Sequence, residues 1–298
     1  MALQSPGAKL AITHMHDWLI ILVLAGIDGL LNMIEPFHRY VGKDMMQDLM
    51  FPFREDTIPM WGVPVSMTRN FIISIIMPIL IFIAFYFVRR DIYDLHHATL
   101  GLLFASIITG VITDSIKDAV GRPRPNFFQR CFPDKRPVFD KETGDVICTG
   151  IHKVIKEGYK SFPSGHTSWS FAGLNFLSWY LSGKIRVFDR RGHVGKLSIV
   201  LLPLLTAALV GISRVDDYWH HWTDVFVGGL IGIIVSSTCY LLLFPFPTYP
   251  HGWAPHAFFY MLDLEEGQSS QGDSQSPSLM RIDRSLEMDQ MENGRRFM

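Results

Sequence analysis

Charge is scarce in this chain. Asp, Glu, Lys and Arg make up 18% of its 298 residues, against about 25% in an ordinary soluble domain. The 27 basic and 28 acidic residues nearly cancel, to a formal charge of −1, so no net field points to nucleic acid as a partner. Cysteine is scarcer still, with three residues, enough for a single disulfide. No internal repeat is visible. The run MALQSPGAKLAITHMHDW lacks a short apolar core with a small-residue cleavage site, so no cleavable signal peptide is expected.

What the chain has is apolar length. Hydrophobic residues reach 48% and mean hydropathy is +0.20, gathered into blocks near the roughly 20 residues that cross a bilayer as a helix. Six such segments run from Trp18 to Ile34, Phe71 to Val88, Ala98 to Ile116, Thr167 to Leu181, Leu197 to Ile212 and Val225 to Phe244. The expected fold class is all-α integral membrane: six transmembrane helices in a bundle. The fourth segment is the weakest, diluted by Ser168, Ser170, Asn175 and Ser178. Asp28 and Asn32 in the first are expensive in lipid, so that helix should turn a face inward, if only for a packing hydrogen bond.

Basic residues in short loops set the orientation. Arg89 and Arg90 follow the second segment; Lys184, Arg186, Arg190, Arg191 and Lys196 follow the fourth. Both loops belong in the cytosol, and both termini with them. The basic loop from Lys117 to Pro163 then faces the lumen or the exterior. Cys131 and Cys148 lie in that loop, on the oxidising side, where a disulfide between them or two free thiols are the alternatives. Cys239 reads as an apolar residue of the sixth segment. From about Leu264 the composition turns to Ser, Gln, Gly and acidic residues, the mark of a disordered cytosolic tail. The expected division is a cytosolic N-terminal segment at 1–16, a six-span domain at 17–262 and a disordered tail at 263–298.

Three polar clusters stand at segment ends on one side of the membrane: KDAVGRPRP from Lys117, PSGHTS from Pro163, and SRVDDYWHHWTD from Ser213. Each has a dull explanation, as snorkelling anchors, a helix cap at Ser164, or an interfacial belt with Trp219 and Trp222. Together they suit a phosphate ester at one membrane boundary. Lys117, Arg124 and Arg214 supply positive charge, and backbone N–H groups around Ser164 and Gly165 add donors at a helix start. A neutral imidazole can attack phosphorus, and a second histidine can protonate a leaving alkoxide. Helical spacing does not choose the nucleophile. Asp224 lies four residues after His220, and Asp217 four before His221, so each histidine has a candidate orienting carboxylate.

The clusters resemble the three-part signature of the type 2 phosphatidic acid phosphatase superfamily. Lys117, Arg124 and Pro125 fit the first part. Pro163, Ser164, Gly165 and His166 fit the second, and Ser213, Arg214, His220 and Asp224 the third. Residues 10–260, including HMHDWL, FHRYVGKDMM and LSGKIRVFDRRGH, are similar to the plant lipid phosphate phosphatases. The resemblance implies that His220 attacks phosphorus to form a phosphohistidine, oriented by Asp224. His166 would then act as acid and base, and Lys117, Arg124, Arg214, Ser164 and Gly165 would hold the phosphoryl oxygens. It implies Mg²⁺-independent hydrolysis, without a cofactor, of phosphatidic acid and related lipid phosphates such as diacylglycerol pyrophosphate or lysophosphatidic acid. The setting would be the plasma membrane or endoplasmic reticulum. His221, Asp216 and Asp217 fall outside the signature.

Two other classes compete. A metal-dependent hydrolase would use Asp216, Asp217, His220 and His221, but adjacent helical residues point about 100° apart and would need a loop to converge. A transporter, or a signalling protein with a decayed site, would place its ionisable groups near the midplane or lack a cation or histidine. Relatives of the haloperoxidase kind are soluble; a sugar-phosphate phosphatase shares the signature and is opposed mainly by the plant-like segments.

Overall fold

The computed structural model describes residues 10, 12–54, 72–189 and 191–263. They are helical, with no strand among them beyond one isolated bridge between Phe139 and Val146. The long helices are α1 (Met15–Met33), α2 (Met77–Arg89), entered through a π-helical turn at Ile72–Ile76, and α3 (Ile92–Val120). Two short helices, α4 (Phe127–Cys131) and α5 (His152–Gly158), lie in the long loop before α6 (Gly165–Lys184), α7 (Val194–Asp216) and α8 (Trp222–Leu243). Cys131 and Cys148 are joined by a disulfide within that loop. A separate compact unit begins at His256, and its described residues, 256–263, are helical. The expected disordered tail lies outside the described residues, apart from its first residue.

Five helices are long and apolar enough to cross a membrane: α1, the continuous Ile72–Arg89 segment, α3, α7 and α8. Their outer faces carry exposed Leu22, Leu30, Leu202, Leu205, Phe226 and Leu242, apolar surface that a lipid environment would cover. The expected sixth, α6, has 20 residues but not the hydropathy, and its position explains why. It packs between α8, α7 and α3, so protein rather than lipid surrounds most of it and polar side chains can find partners. Asn175 Nδ2 donates to Ser236 Oγ at 2.8 Å, Ser178 Oγ to the Val200 carbonyl at 2.6 Å, and Thr113 Oγ1 to Ser168 Oγ at 2.9 Å. Close approach also requires glycine on α8. A Cβ on Gly228 would lie 2.5 Å from the Ser164 carbonyl oxygen, and one on Gly232 2.4 Å from that of Ser168.

Other helix ends follow local chemistry. Asp91 caps α3, accepting from the N–H groups of Tyr93 and Asp94. On α1, Asn32 Nδ2 donates to Asp114 Oδ2 of α3 at 3.1 Å, the inward-facing bond expected of its polar face. Because successive long helices alternate in direction, the C-terminal ends of α3 and α7 and the N-terminal ends of α6 and α8 meet at one end of the bundle.

Candidate active site

That shared end holds all three sequence clusters. Lys117, in the last turn of α3, pairs with Asp114 Oδ1 at 2.8 Å. Its Nζ lies so close to the start of α6 that a Cβ on Gly165 would sit 2.6 Å from it. Arg214, in the last turn of α7, is 2% exposed and donates to Asp217 Oδ2 at 3.3 Å and to Ser213 Oγ. Arg124, in the irregular chain after α3, donates through Nε to the Glu157 carbonyl at 2.8 Å and lies over the Trp219 ring. His166, in the first turn of α6, is within electrostatic reach of Arg214, His220, Lys117 and Arg124.

Helical spacing misreads the paired histidines, because α7 ends at Asp216 and α8 begins at Trp222. Between them the chain turns through Tyr218 at φ 59°, so one-turn neighbours along a continuous helix do not exist here. His220 Nδ1 instead meets the Ser161 carbonyl at 2.6 Å, while Asp224 Oδ2 is 3.8 Å away, an ionic but not a hydrogen-bonding distance. A carbonyl only accepts, so Nδ1 carries the proton and Nε2 keeps its lone pair. Burial pushes the His220 imidazole down to about 4 against the opposing pull of Asp224, so the ring is neutral at pH 7. Asp217 does not pair with His221; it holds Arg214.

Asp224 is fully buried and heavily engaged. Arg122 Nη1 donates to Oδ1 at 2.6 Å; Ser161 Oγ and the His221 N–H donate to Oδ2 at 2.6 and 3.0 Å. His221 is the N-cap of α8, its side chain and Asp224 forming a reciprocal capping box. Ser164 takes the cap position of α6, but its hydroxyl pairs with Thr167 Oγ1 at 2.9 Å rather than with the backbone. The Ser164 N–H, expected among the phosphate donors, is occupied by the Asp224 carbonyl at 2.9 Å. First-turn amides from Gly165 onward remain at the positive end of α6.

Arg122 and Ser161 went unread in the sequence. Both lie in irregular backbone, where no periodic spacing exists to flag them; the one available sign was a second arginine inside GRPRP. The four candidate metal ligands do not gather. Asp216 is exposed, Asp217 faces Arg214, and no group of three or more His, Cys, Asp or Glu among the described residues could hold a metal ion.

Comparison with known proteins accords with this geometry. Residues 98–246 match the family model of the PAP2 superfamily. The chain is 66% identical to probable lipid phosphate phosphatase 4 of Arabidopsis thaliana, over 88% of this chain and 82% of that one. Lipid phosphate phosphatase 1 of the same plant is 53% identical, over 98% and 88%. Probable diacylglycerol pyrophosphate phosphatase 1 of Schizosaccharomyces pombe is 36% identical, over 67% and 71%. No solved structure matches. The matched residues run from the second turn of α3 to just past α8 and contain all three clusters, so the chain belongs to the PAP2 superfamily, as a phosphatase of the hydrolase class.

Proposed function

We propose that the protein is a metal-independent lipid phosphate phosphatase that removes phosphate from phosphatidic acid through a phosphohistidine at His220. One observation carries the reading: His220 is buried, neutral and held in the Nδ1–H tautomer by the Ser161 carbonyl, beside His166 and the Lys117, Arg124 and Arg214 cations. In this scheme His220 Nε2 bonds to phosphorus as the ester P–O bond breaks, and His166 protonates the departing alkoxide. His166 then takes a proton from the water that splits the P–N bond, releasing inorganic phosphate. Lys117, Arg124, Arg214 and the first-turn amides of α6 stabilise charge on the phosphoryl oxygens. Asp224, held by Arg122 and Ser161, supplies fixed negative charge near the imidazolium-like ring that forms during attack.

The setting is a six-span bundle, with α6 as the protein-enclosed sixth helix and the active site on the lumenal or extracellular side. The basic loops, and the Cys131–Cys148 disulfide in the loop beside the site, support that side. The phospholipid keeps its acyl chains in the bilayer and reaches the cations laterally between helices. Full-length protein in mixed micelles, assayed on a panel of lipid and soluble phosphates with and without EDTA, tests this. Turnover of long-chain phosphatidic acid that survives EDTA and is lost in His220→Ala is expected. Loss of wild-type turnover on chelation, equal turnover of short soluble phosphates, or an active His220→Ala would each contradict it.

A further inference from the structure

Beside the phosphate cluster stands a cation that the chemistry above leaves unused. Arg130 on α4 is 5% exposed, as enclosed as Arg124 at 6% and Arg214 at 2%. Its Nε donates to Asn126 Oδ1 at 2.8 Å. Its Nη2 and the Asn126 Nδ2 are both buried and donate to no group among the described residues. Arg122, Arg124 and Arg214 each face a carboxylate within ion-pair distance; Arg130 faces none among the described residues, with Glu157 acting only at longer range. The guanidinium lies 4.9 Å from the Phe53 ring centre and 5.0 Å from that of Trp219, and Arg124 lies 5.0 Å from the same Trp219 centre. One indole therefore holds two guanidinium groups.

This is a costly arrangement. Burial, then the like charge of Arg124, pushes Arg130 down to about 9, and an unsatisfied buried donor loses its hydration without replacement. An aliphatic side chain could fill the same space between the rings without either penalty. Orphaned donors on a buried cation, next to a phosphate-binding arginine, suit an anion brought by the substrate.

We propose that Arg130, with Asn126 Nδ2, is a second phosphate subsite that selects lipid pyrophosphates by holding the inner phosphate while the outer one is transferred to His220. This rests on the reading of the His220 site given above. His220 Nε2 forms the bond to the outer phosphorus, and the bond from that phosphorus to the bridging oxygen breaks. The electron pair stays on the bridging oxygen, which leaves as part of the inner phosphate, releasing phosphatidic acid. Water then cleaves the phosphohistidine with His166 taking its proton, releasing inorganic phosphate. A phosphate monoester is a far weaker base than an alkoxide, so it departs without needing a proton from His166. What it needs is a cation beside its developing charge, and Arg130 supplies one. With a simple phosphate monoester there is no inner phosphate for this subsite to hold.

The test compares kcat/KM for diacylglycerol pyrophosphate and phosphatidic acid, using the full chain in mixed micelles. Arg130→Gln is expected to lower the pyrophosphate-to-monoester ratio about tenfold or more, the scale on which a site built to bond a polar group rejects its absence. Asn126→Asp places a carboxylate on Arg130 with almost no change of shape. It should stabilise the fold on heating yet lower the same ratio, which a purely structural Arg130 would not do. A ratio unchanged in both variants, or a parallel fall on both lipids, overturns the proposal. Wild-type and variant protein are also titrated with inorganic pyrophosphate and orthophosphate by thermal shift. A pyrophosphate preference that depends on Arg130, in protein that hydrolyses neither lipid, would sink the phosphatase reading and leave the subsite standing. Equal shifts with the two anions in wild type would sink the subsite.

Discussion

At its C-terminal end α6 places Lys184 Nζ 2.5 Å from both Asp94 Oδ1 and the Trp253 carbonyl oxygen, while Tyr180 donates to Asp94 Oδ2 at 2.8 Å. The ammonium also lies over the Tyr180 and Phe244 rings. At its N-terminal end Arg122 and Lys117 make comparably short pairs, to Asp224 at 2.6 Å and Asp114 at 2.8 Å, but two other arginines make longer ones. Arg214 meets Asp217 at 3.3 Å, and Arg124 meets Glu157 at 3.5 Å through a carboxylate that is 51% exposed. Arg130 meets no carboxylate among the described residues. Both ends bury charge, yet the first closes the Lys184–Asp94 pair within the protein, and the second leaves Arg130 Nη2 and Asn126 Nδ2 without a partner among the described residues. The first arrangement holds helices together; the second suits an anion that comes and goes. A cavity of about 200 Å³, lined in part by Arg186, Phe188, Tyr249 and Trp253, also lies toward the C-terminal end of α6 and shares no residue with the three clusters.

Substitution at each end should separate these roles. The largest effect is expected from His220→Ala, which removes the proposed nucleophile: kcat falls by about 10⁴-fold or more, as for loss of a covalent catalyst, while the melting temperature in detergent holds. His221→Ala, losing the ring's contacts with the Asp224 backbone N–H and carboxylate but keeping the His221 N–H bond to Asp224 Oδ2, should cost less than about tenfold on the same scale. Equal losses would erase the distinction between the two histidines.

Lys184→Met reverses the pattern. Leaving Asp94 buried without its cation should destabilise the fold by about 3–5 kcal/mol, visible as a lower thermal midpoint, while the folded fraction keeps its kcat. A specific loss of kcat at full stability would break the comparison between the two ends.

Arg122→Gln tests the support beneath the site. With one of its three donor groups gone, the Asp224 carboxylate loses its fixed position, and kcat should fall about 10- to 100-fold with KM little changed. Arg122→Lys should recover part of that loss.

The smallest effect is a pH slope. His220 titrates near 4 in the folded chain and near 6.5 when unfolded, so the unfolded state binds the extra proton across that window. The contribution of His220 to stability is complete above about pH 6.5 and is lost as pH drops toward about 4. The midpoint-against-pH curve of His220→Ala should be correspondingly flatter.

Much of this was legible in the sequence where periodicity or spacing applied. Apolar blocks marked α1, α3, α7 and α8 to within a turn or two at most ends, and the three clusters marked which ends meet. The fourth segment was diluted by the serines and Asn175 that a central helix can satisfy through its neighbours, so hydropathy alone undervalued α6. The site failed to read where the backbone is irregular. Ser161, Arg122 and Arg130 act from loops or a five-residue helix, and their partners lie up to 102 positions away, as Asp224 does from Arg122. Spacing left the choice between His220 and His221 open for the same reason: one-turn spacing presumes a helix, and residues 217–221 do not form one.

The central claim is that His220 carries the phosphoryl group. Full-length protein would be mixed with head-group-labelled phosphatidic acid and quenched within milliseconds, and the label on the protein measured after alkali and after acid. Wild type should retain label that survives alkali and is released by acid, as a phosphohistidine is. His166→Ala should accumulate more of it than wild type on the same substrate with an activated leaving group, because the water step then lacks its base. His220→Ala should carry none. Alkali-stable, acid-labile label on His220→Ala, or label mapped to His221, would contradict the account.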